Sequence, residues 1–320
     1  MEQLVKDTKG NGKYDKYYID CSHYAANPKS IEVLELIKNM ERPDVAILHA
    51  IATDDTIKKK NRHIVVKISN ARDNRSNSII EKEYEISNAL YKCHLHGFIK
   101  HLCVFRCHDD TTKFFKKNRE NIAPTPTTHH ICNADTQNAT TNKHVLVMPY
   151  IRGGSLEDYN WTVDKLDLLK SLVIHTILSL ATAFDKLGFN HNDLHWGNVL
   201  FKPTTVSETT YIFGTREITI PTGGYKVVIT DFEKSVVGTT DTQFFWRNIR
   251  KFLYNGVSFE NKNGDTITWK HKYIITQIEH YIEQSTTLND VIKILSKIQK
   301  SKFDVCKLED APVYNPNVFV

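Results

Sequence analysis

The chain has 320 residues, 40% of them hydrophobic and 25% charged, a composition that suits a globular protein with one large domain or two lobes around a sizeable core. A net charge of +5 spread along the chain gives no strong nucleic-acid signal, and the densest basic run, Lys58-Lys59-Lys60-Asn61-Arg62, reads as a solvated hairpin turn between two apolar segments. No apolar run approaches the roughly 20 residues that span a bilayer. The N-terminus lacks a signal-peptide core, and six cysteines without regular pairing argue against a secreted disulfide framework, so the protein is expected to be intracellular (cytoplasm or nucleus) with no membrane role.

Residues 1–44 read as an N-terminal extension, with Gly10-Asn11-Gly12 as a turn and a patch of Tyr14, Tyr17 and Tyr18. Within it, residues 30–40 are ambiguous: Asn27-Pro28 would start a helix, but Ile31, Val33 and Leu34 fit neither period. Residues 45–52 and 63–68 read as strands, the second with Lys67 among β-branched residues. Such a lysine either snorkels to water from an edge strand or makes a phosphate contact held by a carboxylate. Residues 78–92 follow as a helix. Its stripe of Ile79, Glu83, Ile86 and Leu90 turns Glu83 inward, toward an ion pair with Lys67, while Glu81 and Glu85 fall on the wetter face.

Residues 97–107 read as another strand. Cys93, His94, His96, His101, Cys103, Cys107 and His108 are zinc-ligand types, but there is no compact Cys-x-x-Cys pair, and the alternation of Cys103, Phe105 and Cys107 favours a half-buried strand face. Residues 109–143, rich in Thr, Asn and Lys and containing Pro124 and Pro126, read as an inserted loop. Residues 144–151 form a buried strand, and Gly153-Gly154 after it read as a turn or as a hinge between lobes, whose backbone groups can pair with an adenine ring. Residues 166–186 are a strongly amphipathic helix, with Leu169, Leu172, Val173, Ile177, Leu180 and Phe184 facing the core and Gly188 ending it.

The chemistry is concentrated just beyond. In His191-Asn192-Asp193-Leu194-His195-Trp196-Gly197-Asn198-Val199-Leu200-Phe201 an acid, Asp193, precedes an amide, Asn198, that runs into an apolar strand. A second acid, Asp231, closes the apolar run 227–230 and is followed by Phe232. Two carboxylates and an amide at strand ends suit phosphoryl transfer, one carboxylate taking a hydroxyl proton while the other acid and the amide hold magnesium. Between them, Gly214-Thr215-Arg216 flanked by apolar residues suggests a hairpin. Helical patterns follow at about 241–254, 269–284 and 288–300.

Together these residues resemble the eukaryotic-type protein kinase superfamily over about residues 45–300, in the order strand lysine, helix glutamate, hinge, long helix, catalytic loop and metal acid. The run from Asp193 to Leu200 is similar, almost letter for letter, to the catalytic loop of the haspin branch and of haspin-like kinases of large DNA viruses, and the hairpin insertion ending in Ile220-Pro221 is similar to that branch as well. The resemblance implies an α+β, bilobal kinase-like fold. A small β-rich N-lobe would occupy residues 45–151 with its insertion at 109–143, and a larger helical C-lobe residues 152–320 with its hairpin at about 204–224. It implies that Asp193 deprotonates the substrate hydroxyl, that Asn198 and Asp231 hold Mg2+, that Lys67, fixed by Glu83, contacts the phosphates of ATP, and that Met148, Pro149, Tyr150 and Ile151 line the adenine site. The substrate it implies is Ser or Thr of a protein, with histone tails as candidates.

The chain departs from the superfamily pattern in four places. No glycine occurs between residues 13 and 96, where a Gly-rich phosphate loop is usual; backbone amides near residues 40–44 would have to serve. Asn192 replaces an arginine and Glu233 a glycine, and the link from Glu233 to Asp241 is too short for a long activation segment. Activity independent of activation-loop phosphorylation is the expectation. The alternatives are a pseudokinase acting as a binding module and a small-molecule kinase, since histidine after Asp-Leu also occurs among antibiotic and choline kinase relatives.

Overall fold

The computed structural model of the chain describes residues 31–39, 45–52, 62–71, 74–108 and 142–257, together with 275, 276, 278–280, 282, 290, 293 and 295. The tyrosine patch, residues 58–61 of the basic run, residues 40–44 and the loop expected at 109–143, up to residue 141, lie outside them. Most of the two C-terminal helical patterns also lies outside, and the few residues described there are helical. The chain divides into two compact units, residues 1–88 with 100–150 and residues 89–99 with 151–320.

The first unit is built on a five-stranded sheet of β1 (Ile31–Asn39), β2 (Val45–Ala52), β3 (Arg62–Ala71), β4 (Cys103–His108) and β5 (Asn142–Pro149), in the order β1-β2-β3-β5-β4. Neighbouring strands run antiparallel. Successive side chains of a strand point to opposite faces, and here the two faces differ in chemistry. One face gathers Leu48, Ile64, Val66, Ile68, Cys103, Phe105, Val145 and Val147 into a buried apolar cluster. The other carries His49, Lys67, Ser69 and His144, all buried. Helix α1 (Asn74–Lys92) is tied to this second face by Glu81–His144 at 3.6 Å and Glu83–Lys67 at 2.8 Å.

Two elements differ from the sequence expectation. The ambiguous segment at 30–40 is strand β1, so a stretch read with the N-terminal extension is part of the sheet. Of the strand expected at 97–107, only residues 103–107 are extended in the sheet, as part of β4, which runs on to His108. Gly97 turns with φ +85°, and Phe98 forms a separate bridge to Ile229.

The second unit is organised around helix α2 (Leu166–Leu187), in which sixteen residues from Leu166 to Ala183 are buried. Burying one leucine or isoleucine of this kind contributes about 1.5–3 kcal/mol. Gly188 ends the helix in the left-handed conformation at φ 57°, its N–H donating to the Phe184 carbonyl at 2.8 Å. By length and composition α2 could cross a bilayer, which corrects the expectation that no apolar run approaches that size; most of it is buried inside the protein. Two short antiparallel pairs accompany it: β6 (Val199–Pro203) with β9 (Tyr225–Ile229), and the hairpin β7 (Glu208–Phe213) with β8 (Arg216–Pro221). Helix α3 (Thr242–Val257) follows, with the Asp241 carboxylate accepting from the Phe244 N–H at 2.9 Å at its start.

The hairpin is fastened to α2 through His175. Its Nε2 lies 2.9 Å from the Pro221 carbonyl and its Nδ1 2.6 Å from the Tyr211 hydroxyl. A carbonyl only accepts, so Nε2 carries the proton. Burial lowers the proton affinity of His175, leaving Nδ1 to accept from Tyr211, and burial likewise pushes the Tyr211 phenol well above its usual range.

Candidate active site

In the first unit, Lys67 comes from the middle of β3 and Glu83 from the inward stripe of α1. Lys67 Nζ and Glu83 Oε2 are 2.8 Å apart at relative exposures of 3% and 1%. The His101 imidazole lies 3.9 Å from the other Glu83 oxygen, and the His101 N–H donates to Ser87 Oγ at 2.9 Å. Met148 shares the sheet face of Lys67, since it is the second residue beyond Leu146, the cross-strand partner of Lys67. Tyr150, just past β5, stacks on His49 with ring centroids 4.2 Å apart, and His49 hydrogen-bonds His63 at 2.8 Å. Sequence reading passed over this histidine pair, although His49 and His63 keep the period of two that places them on the face of Lys67. Cys103 is buried in the apolar cluster on the opposite face, and among the described residues no three His, Cys, Asp or Glu side chains form a metal cluster.

In the second unit, Asp193, Asn198 and Asp231 are brought together by backbone pairing. The register of β6 and β9 sets Val199 opposite Ile229. One step further out, the Thr230 N–H donates to the Asn198 carbonyl at 3.0 Å, so Asn198 and Asp231 flank the same end of the pair. The Asn198 amide nitrogen donates to the Asp193 carbonyl at 3.0 Å. That bond fixes the loop and leaves the amide oxygen to accept a cation. A carboxylate and an amide oxygen are hard donors of the kind Mg2+ takes, commonly one or two from protein and the rest from phosphate and water. The donor set therefore fits that ion.

His191 completes the lock. It is buried, and its Nε2 donates to the Thr230 carbonyl at 2.9 Å. Burial is the largest influence on the ring and lowers its proton affinity, outweighing the upward pull of that hydrogen bond, Asp231 and Asp193. The ring is thus a neutral strut between the segment that holds Asp193 and the backbone that runs from the end of β9 to Asp231. Phe232 is fully buried and packs edge-on to Phe189 and His191 at centroid distances of 5.9 Å. Asp231 itself sits at φ 65° and Asn192 at φ 64°, left-handed conformations that cost a non-glycine residue roughly 1 kcal/mol and are tolerated best by Asn and Asp.

The strand side of the loop is held by the Gly153-Gly154 turn and by Leu156 and Trp161, of which the last two drew no functional reading from sequence. Leu156 N–H donates to the Val199 carbonyl at 2.9 Å and Phe201 N–H to the Gly154 carbonyl at 3.2 Å, so the Gly153-Gly154 turn lies directly on β6. A side chain at Gly153 would run into the Phe201 carbonyl oxygen. Of the segment read as an adenine-lining hinge, Pro149 and Tyr150 are half-buried and Ile151 is buried. Trp161 packs edge-on to Trp196 at 6.3 Å and ties its own indole N–H to the Leu156 carbonyl at 2.8 Å. After Phe232, the chain is stitched to the catalytic segment by reciprocal Asn190–Val236 backbone bonds at 2.9 Å and a Ser235 Oγ bond to the His191 carbonyl at 3.1 Å.

A family model described as "Haspin like kinase domain" matches residues 29–258. The chain is similar to the serine/threonine-protein kinase haspin of Bos taurus and to that of Mus musculus, each 37% identical over 91 residues, a stretch that is 28% of this chain and 12% of either relative. It is similar also to the serine/threonine-protein kinase haspin homolog of Arabidopsis thaliana, 24% identical over 153 residues, which is 48% of this chain and 25% of that protein. The matched stretches thus cover a quarter or less of these relatives' lengths. Because the family match runs from β1 through the catalytic segment to α3, the chain belongs to the haspin-like kinase domain family and has its bilobal, α+β kinase fold.

Proposed function

We propose that the chain transfers the γ-phosphoryl group of ATP to Ser or Thr hydroxyls of protein substrates, with Mg2+ as the metal and Asp193 as the base. The observation that carries this reading is the hydrogen-bonded seam of β6 and β9. It sets Asn198 beside Asp231 and pins the Asp193 backbone through the Asn198 amide. The buried Lys67–Glu83 pair supports it independently, since an ammonium held at 2.8 Å by a carboxylate is a phosphate contact with its geometry already set.

Asp193 accepts the acceptor hydroxyl's proton as that oxygen bonds to phosphorus. Asn198 and Asp231 would hold Mg2+, which when bound draws off charge from the phosphates. Lys67 contacts the phosphates, and Met148, Pro149, Tyr150 and Ile151 line the adenine site. The segment after Asp231 is held by the reciprocal Asn190–Val236 backbone pairing, which supports activity that needs no activation-loop phosphorylation. Cys93 and Cys103 are free thiols, in keeping with a reducing, intracellular compartment.

The test is transfer from labelled ATP with Mg2+ to a histone-tail peptide and to generic protein substrates, beside Asp193→Ala and Lys67→Met. Transfer by the native chain alone supports the reading. Absence of transfer, together with no ATP-dependent rise in melting temperature, replaces it with a scaffold, for which the glycine-free stretch at 13–96 speaks. Transfer to small molecules only would replace it with the third reading.

A further inference from the structure

Lys234 Nζ donates to Asp193 Oδ2 at 2.8 Å, with the lysine 53% and the aspartate 28% exposed. An ion pair this exposed contributes little to stability. Its placement is nonetheless built into the backbone. The Lys234 carbonyl accepts from the Asn192 side-chain amide at 3.0 Å, next to the catalytic aspartate in sequence. Ser235, fully buried, bonds the His191 carbonyl, and Val236 pairs with Asn190 in both directions. The lysine is therefore carried to the carboxylate by the pairing of two chain segments, one holding Asp193 and the other following directly on Asp231.

Two chemical facts give this contact a use. Among the described residues, Asp193 Oδ1 has no hydrogen-bond partner, so the lysine holds one carboxylate oxygen and leaves the other to act. The carboxylate and the phosphoryl group are also both anionic, and a cation between or beside them lowers their repulsion as they approach. The loop's own basic side chain, His195, has its Nδ1 occupied in accepting from the Gly197 N–H at 3.1 Å, so that nitrogen cannot donate.

We propose that Lys234 is a positioning residue of phosphoryl transfer: it holds Asp193 by Oδ2, presents Oδ1 to the acceptor hydroxyl, and offsets negative charge at the point of transfer. This rests on the kinase reading above. As the acceptor oxygen bonds to the γ-phosphorus, its O–H bond breaks and the proton passes to Oδ1. The bond from the γ-phosphorus to the bridging oxygen breaks, its electron pair leaving with ADP.

The experiment compares the full native chain with Lys234→Ala and Lys234→Arg, using ATP, Mg2+ and a histone-tail peptide. The expected result for Lys234→Ala is a kcat about tenfold to a hundredfold lower, the size expected for a displaced reacting group. Its KM for ATP and its melting temperature should stay at native values, and Lys234→Arg should recover most of the lost kcat. A Lys234→Ala enzyme with native kcat overturns the proposal while leaving the kinase reading intact. So does a loss of kcat that arginine does not rescue and that follows a fall in melting temperature. A native chain that transfers no phosphate overturns both.

Discussion

The Lys67–Glu83 pair offers a prediction in which stability and activity move apart. At 2.8 Å two unit charges attract by about 6 kcal/mol in an effective dielectric near 20. Bringing each of them to exposures of 3% and 1% costs several kcal/mol per ion, so the pair is close to break-even as a whole. Removing one partner loses the attraction and leaves the other charge buried, at a cost of about 3–5 kcal/mol. Glu83→Leu should show that loss. Lys67→Met should fall at its lower end, because His101 remains 3.9 Å from the carboxylate and can share its charge.

The double substitution Lys67→Met/Glu83→Leu removes both charges and fills the space with apolar atoms, so it should be more stable than either single variant. Melting temperatures should fall by about 6–20 °C in the singles, at roughly 2–4 °C per kcal/mol, and largely return in the double. A double-mutant cycle should give a coupling of about 3 kcal/mol, well above the few tenths seen for independent sites. Transfer from ATP, by contrast, should be lost in all three and stay lost in the double, since methionine cannot hold a phosphate. Additive melting losses would refute the break-even argument, and a double variant that regained transfer would remove Lys67 from the chemistry.

Asp231→Asn and Asn198→Ala should each raise the Mg2+ concentration needed for half-maximal transfer by tenfold or more while leaving the melting temperature near native; unchanged Mg2+ titrations would take the metal role from these residues. His191 binds its proton less readily folded than unfolded, where its value is near 6.5. The unfolded chain therefore gains a proton that the folded chain refuses as pH falls below 6.5, and stability drops by up to about 1.4 kcal/mol per pH unit from this group. His191→Asn, which keeps an N–H for the Thr230 carbonyl, should flatten that slope between pH 6.5 and 5; a melting profile identical to native would rule it out. Tyr211→Phe should destabilise by about 1–3 kcal/mol in urea denaturation, because it leaves the buried Nδ1 of His175 without its donor.

What could be read in advance followed from how tightly chemistry restricts residue choice. The run from Asp193 to Asn198 and the acid at Asp231 stood out because few residue types can manage a hydroxyl proton and a divalent cation. Helix α2 stood out because its apolar period never breaks. Strand β1 was hidden for a physical reason: its pairing with β2 shifts register between Val33 and Glu35 and again between Leu36 and Lys38. Each bulge adds a residue and reverses which side chains face the core, so the period of two disappears. Residues 97–99 misled in the other direction, since they pair with Ile229 of β9 rather than with a strand of the five-stranded sheet. Lys234 carried no signal at all, because a lysine after an acid is ordinary until the fold brings it against a residue 41 positions away.

The two departures from the kinase pattern that flank the catalytic residues become one arrangement in three dimensions. Asn192 stands where an arginine is usual, in a left-handed conformation that asparagine adopts more easily, and its amide reaches the Lys234 carbonyl at 3.0 Å. Lys234 lies just beyond Glu233, the other departure, and its ammonium returns to Asp193. An arginine commonly serves in this place by reaching a phosphorylated segment, a contact that exists only after modification. The asparagine instead makes a neutral hydrogen bond to backbone, which salt and phosphatases leave alone, and the next pairings, Ser235 to His191 and Val236 to Asn190, extend it. The segment after Asp231 is therefore held by the same backbone bonds that carry Lys234 to Asp193. The asparagine in the arginine's place and the residues that follow Glu233 thus form one backbone arrangement around Asp193.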